Sequence, residues 1–171
     1  MTSKNFVAVL GLCEDPTEYL KGIPPAVRRA MFRDMPPGAT DVRGLRGYLL
    51  RKFRPRFANV YARHVTLGYN VSRNFPLPST PVAVTLVGEI VKDGTQALVA
   101  MVDGKIGRYD GKIFHLTVST DYGVPPAAAG DFSVVDPAIR WFDSTELEEV
   151  TLSAYFIPMW KVEAQPNRWA A

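Results

Sequence analysis

The sequence predicts a single domain that mixes helices with a larger number of strands, the helices lying early and the strands late. Apolar residues recur at helical spacing only before residue 54. From residue 57 onward aromatic and β-branched residues dominate, punctuated by Asp-Gly pairs of the kind that turn hairpins. A length of 171 residues suits one domain with a sizeable core.

In chain order, residues 6–12 read as a strand, with Gly11 permitting a bend or a close approach. Pro24-Pro25 opens a helix whose stripe is Val27, Ala30, Met31 and Met35, and Pro36-Pro37-Gly38 stops it. Asp41 caps a second helix with the stripe Val42, Leu45, Leu49 and Phe53, weakened by Gly44 and Gly47. Phe57 to Val71 reads as strand, and residues 75–81 as a stiff proline-rich loop. Val82 to Val91 and Gln96 to Val102 form an antiparallel pair about Lys92-Asp93-Gly94. After turns at Asp103-Gly104 and Asp110-Gly111, Lys112 to Ser119 is a further strand. Val124-Pro125-Pro126 starts a loop or short helix, and Ile139 to Phe142 and Val150 to Ile157 close the sheet. The domain spans residues 1–171, with a frayed tail from about 165.

Composition narrows the function classes. Apolar residues at 47 % and charged residues at 22 % exclude disorder as the main state. No stretch has the apolar length to cross a bilayer, and the start lacks a secretory leader's pattern, so a cytoplasmic protein is expected. The single cysteine, Cys13, excludes an internal disulfide framework, and with His64 and His115 it is too few for a zinc module. Net charge is only +3, but the signs are segregated. Ten cations from Arg28 to Arg63 face only Asp34 and Asp41, whereas Asp131 to Glu149 is acidic with Arg140 alone opposing. A basic segment attracts phosphates, and the modest total fits a small phosphate-bearing ligand better than duplex DNA.

One short element occurs twice: His64-Val65-Thr66-Leu67 and His115-Leu116-Thr117-Val118. In a strand, residues two apart share a face. Each copy therefore sets an imidazole beside a hydroxyl and sends its apolar neighbours to the opposite face. One His-x-Thr carries no weight, but this pair uses every histidine in the chain. Breaking a phosphodiester requires a proton taken from the nucleophile and another given to the leaving oxygen. Two imidazoles titrating near neutrality supply both, and threonine hydroxyls can donate to the non-bridging oxygens. The scheme calls for no metal and no cofactor. By strand parity, Ser119 joins His115 and Thr117 as a further hydroxyl, whereas Arg63 points away from His64. Tyr122 stands where it could stack on a base. Trp141, Tyr155, Trp160 and Trp169 read as packing residues, and Cys13 as a buried or incidental thiol.

The paired motifs resemble those of the 2H phosphoesterases, which hydrolyse or transesterify phosphodiester bonds in nucleotides and RNA ends. Residues 110–119, followed by Gly123-Val124-Pro125-Pro126, are similar to the cyclic-phosphodiesterase-like branch of tRNA ligases. They are also similar to phage anti-CBASS enzymes that destroy cyclic oligonucleotide signals. The resemblance is sharp over residues 59–71 and 105–130. It implies a two-lobed α+β fold, with antiparallel sheets flanking a central cleft and helices outside. His64 and His115 would then be the catalytic pair, and Thr66 and Thr117 the phosphate-binding pair. The motifs stand closer together than in many bacterial members, which implies a trimmed lobe.

The expected activity is thus a metal-independent phosphodiesterase acting on a cyclic oligonucleotide signal or a 2′,3′-cyclic or terminal nucleotide. Its partner would be a small nucleotide or an RNA end, in the host cytoplasm if phage-encoded, without membrane or duplex DNA. The alternative is a nucleotide or RNA binder that uses the same cleft without turnover.

Overall fold

The computed structural model describes residues 6–12, 45–158 and 165–166. The first predicted helix, Asp41, Cys13, Trp160 and Trp169 lie outside the described residues.

The alternating pattern of the late chain builds antiparallel strands in the order of the sequence. They are β1 (Phe6–Gly11), β2 (Asn59–Val60), β3 (His64–Val71), β4 (Val82–Lys92) and β5 (Thr95–Val102). Then come β6 (His115–Thr120), β7 (Ile139–Trp141), β8 (Glu148–Pro158) and β9 (Gln165–Pro166). Among the described residues, one α-helix, α1 (Leu45–Lys52), precedes β2, and a 3-10 helix (Pro126–Asp131) follows β6. The protein is thus a sheet-dominated α+β fold, with every strand pair among the described residues antiparallel.

Strand order is β3-β1-β8-β4-β5-β6-β2-β9, and β3 also pairs with β6. Six strands therefore close into a ring, while β7 pairs with β4 beside it. The closure is narrow: its register pair is Val65 opposite Leu116. These two residues share one buried cluster with Leu10, Leu98 and Leu152. Leu49 of α1 and Phe53 just after it enter the same cluster and Leu45 packs against it, as the helical stripe predicts, and Leu50, off that stripe, enters it as well. With Val65 and Leu116 turned into that core, the residues on either side of each must face outward.

Turn chemistry sets the hairpins. Asp93 and Gly94 have φ of 50° and 74°, and Asp103 and Gly104 have 51° and 72°. Paired left-handed residues define the two-residue turn whose twist matches flanking strands, hence Asp-Gly.

Three elements differ from expectation. The strand expected over 57–71 is broken at Tyr61–Arg63, where Ala62 takes a left-handed φ of 50°. The strand expected from Lys112 starts at His115, because Arg108 to Lys112 folds into a turn. Within the tail expected to fray, Gln165–Pro166 pairs with β2. Among the described residues no helix is long and apolar enough to cross a membrane.

Candidate active site

The seam between β3 and β6 positions the functional side chains. With Val65 opposite Leu116 in an antiparallel pair, His64 lies beside Thr117 and Thr66 beside His115 on the outer face. All four side chains line a single cavity of about 350 Å³. The polypeptide thus brings its two histidines together from strands far apart in sequence.

His115 is held from behind. Its Nδ1 lies 3.0 Å from the Ile113 carbonyl oxygen. A carbonyl only accepts, so Nδ1 carries the proton and Nε2 is left for the cavity. The 3-10 helix presses against the ring at Gly130, where a Cβ would stand 3.2 Å from His115 Cε1. In His64, Nδ1 is sealed from solvent, so Nε2 is again the nitrogen available to a ligand. The strand bearing Gly11 pairs directly opposite His64. A Cβ on Gly11 would fall on the Tyr155 ring, so only glycine lets these elements close together.

Both imidazoles are biased toward the neutral form. Burial, then His115, then Arg63 push the His64 pKa down to about 4. His115 is also lowered, chiefly by burial and further by Arg108 and Lys112; its bond to Ile113 and the nearby Asp131 oppose the shift. The cavity lining carries the cations Arg63, Arg108 and Lys112 against one carboxylate, Asp110. Arg108 is gripped by both Asp110 oxygens at 2.8 and 2.7 Å. That pairing holds the Asp110 carboxyl below its ordinary range. Lys112 contacts Asp131. The described lining thus sets an excess of cationic side chains beside two imidazoles.

Several expectations need correction. Arg63 lines the cavity beside His64, because left-handed Ala62 breaks the strand and resets the alternation on which the parity argument rests. Ser119 does not face the cavity. Its hydroxyl donates to Gln96 Oε1 at 2.7 Å and accepts from the Arg56 and Phe57 amides, both at 3.2 Å. It is fully buried, pinning the chain after α1 to the sheet. Tyr122 is 81 % exposed and lies outside the cavity lining. Thr117 is in place, but its hydroxyl donates to the Pro126 carbonyl at 2.7 Å, so a phosphate must displace that bond.

Arg28, Arg29, Arg33 and Arg43 of the basic segment lie outside the described residues. Among its described cations only Arg63 lines the cavity. Arg46 donates to the Tyr61 carbonyl, Lys52 pairs with Glu148, and Arg51, Arg54 and Arg56 line a separate polar hollow with Glu89 and Arg140. The acidic segment is likewise partnered by Lys52, Lys92 and Lys112 as well as Arg140. Arg108, Lys112, Tyr61 and Tyr69 were not singled out by sequence reasoning. The available signal was the Arg108-Tyr109-Asp110-Gly111-Lys112 turn immediately before the second motif.

No protein-family model matches the chain, and no curated protein or solved structure is detectably similar to it.

Proposed function

We propose that the protein is a phosphodiesterase that uses its two histidines as general base and general acid, without a metal. The observation that carries this reading is the convergence of His64, Thr66, His115 and Thr117 on one cation-lined cavity. The substrate class is a cyclic oligonucleotide signal or a 2′,3′-cyclic or terminal nucleotide phosphodiester, and the resemblance to phage anti-defence enzymes acting in a host cytoplasm favours the first. In this reading the two lobes of the 2H fold correspond to β3-β1-β8 and β4-β5-β6, each contributing its motif strand to the seam.

The environments of the two rings divide the roles. His64, with its pKa near 4, stays neutral and takes the proton from the attacking water or 2′-hydroxyl. That oxygen bonds to phosphorus as the bond to the leaving oxygen breaks. His115, whose Nδ1–H is held by the Ile113 carbonyl so that Nε2 faces the cavity, gives the other proton to the leaving oxygen. Thr66 and the cations Arg63, Arg108 and Lys112 hold the non-bridging oxygens, where negative charge accumulates.

Leaving-group chemistry tests the assignment. Each histidine-to-alanine variant should lose about 10²- to 10⁴-fold in kcat on an ordinary nucleotide diester. A nucleoside p-nitrophenyl phosphate, whose leaving oxygen needs no proton, should restore His115→Ala but not His64→Ala. Wild-type turnover should survive EDTA. Near-normal turnover by both variants on both substrates would remove the two-histidine assignment. The non-catalytic alternative draws on the Thr117–Pro126 bond, which leaves one of the two motif hydroxyls already engaged. It predicts tight nucleotide binding with no product by mass spectrometry.

A further inference from the structure

A second cavity, of about 340 Å³, adjoins the histidine cleft, and Arg108 lines both. Its character is different. Phe75, Tyr109 and Phe114 supply aromatic surface, and Pro76 and Pro78 stiffen one wall. Tyr109 is 67 % exposed, with its ring 5.6 Å from that of Phe75 at an interplanar angle of 49°. An aromatic side chain left so far in water next to a cavity is an available stacking surface.

The sequence constructs this place deliberately. Gly68 in β3 makes room for Phe75, since a Cβ there would come within 2.8 Å of the Phe75 ring. The Asp103-Gly104 turn, closed by mutual backbone bonds between Val102 and Lys105, holds Asp103 and Lys105 at the cavity's lip. Asp103 can accept from the N–H groups of a base edge, and Lys105 can donate to its ring nitrogens or carbonyls. Arg108 stands between the two cavities with its guanidinium fixed by Asp110.

Resting on the phosphodiester reading above, we propose that this second cavity receives the nucleobase attached to the phosphate held in the histidine cleft. A nucleotide joins an anion to a flat aromatic ring over a short span. The two cavities offer that same pair of chemistries on either side of one arginine. The base stacks on Tyr109, its edge meets Asp103 and Lys105, and its phosphate lies against Arg108 and the histidines. The site therefore selects a nucleotide over a phosphodiester that carries no ring.

The test is an NMR titration of the intact protein with the methyl ester of adenosine 5′-monophosphate, with dimethyl phosphate, a diester of the same charge, and with adenosine. The nucleotide diester should bind at least about tenfold more tightly than dimethyl phosphate, the scale of one stacking contact. Tyr109→Ala, at an exposed position, should abolish that advantage and leave the dimethyl phosphate affinity unchanged. Tyr109→Phe should retain it. If the two phosphates bind alike near His64 and His115, or the nucleotide is indifferent to Tyr109→Ala, the base site is overturned and the phosphodiester reading stands. If adenosine moves the Tyr109 and Phe75 signals while neither phosphate moves the histidines, the cavity takes a ring that is not joined to a phosphate in the cleft, and both the base site as proposed and the phosphodiester reading fail. If none of the three binds, both fail.

Discussion

In the proposed chemistry His64 links catalysis to stability through one depressed pKa. The working form has His64 neutral and a proton on His115. Burial lowers both rings, so the kcat/KM profile should have its maximum on the acid side of the ordinary histidine value. A bound phosphodiester anion favours protonation of both rings, so the kcat bell should sit at higher pH than the kcat/KM bell. A steady-state pH series that separates the two parameters checks this. Stability follows the same sign. Between the unfolded histidine pKa and the folded value near 4, the unfolded chain binds a proton at this position that the folded one does not. Stability should fall by about 3 kcal/mol as pH drops through that window. Urea titrations should show His64→Gln flattening the dependence. The histidine and threonine positions were legible because strand alternation is local. The engagement of Ser119 by Gln96 was not, because the partner comes from another strand and the loop after α1.

At the scale of elements, the break between β2 and β3 matters most. Ala62 sits at φ 50°, a conformation that costs a residue with a Cβ roughly 1–2 kcal/mol. Its amide donates to Thr117 O at 2.8 Å, and the Arg63 carbonyl accepts from Leu12 N at 2.8 Å, so the surroundings hold the kink in place. Ala62→Gly should leave thermal stability nearly unchanged and activity intact. Ala62→Val, β-branched at a left-handed position, should lower stability by more than about 1 kcal/mol and weaken substrate binding by displacing Arg63. Calorimetry and KM measurements on the two variants check the contrast. The hairpins at Asp93-Gly94 and Asp103-Gly104 were readable because Asp-Gly favours left-handed backbone by itself. Ala62 carries no such preference, so tertiary contacts select its conformation and the sequence offers no warning.

For the whole molecule, the ring of strands was the least legible feature. Its closure depends on Val65 meeting Leu116, a contact between segments with no local signature. The resemblance to 2H phosphoesterases implies lobes and a cleft; the described residues form one connected sheet in which β3 also pairs with β6. The early helix pattern was readable in α1, where Leu49 and Phe53 enter the core as their spacing requires.

That circular connectivity has a consequence for the chain as a covalent object. The exposed Asp103-Gly104 tip lies between His64 and His115 in sequence, so a protease nick there distributes the dyad over two fragments. Yet β6 is zipped to β5, and β8 to both β1 and β4, across the cut. The nicked protein should stay assembled and turn over substrate with a raised KM, because the cut loosens the turn that sets Asp103 and Lys105; activity should vanish when urea separates the pieces and return when they are mixed and the urea is diluted. Neither piece alone should act, since each holds half of the proton relay.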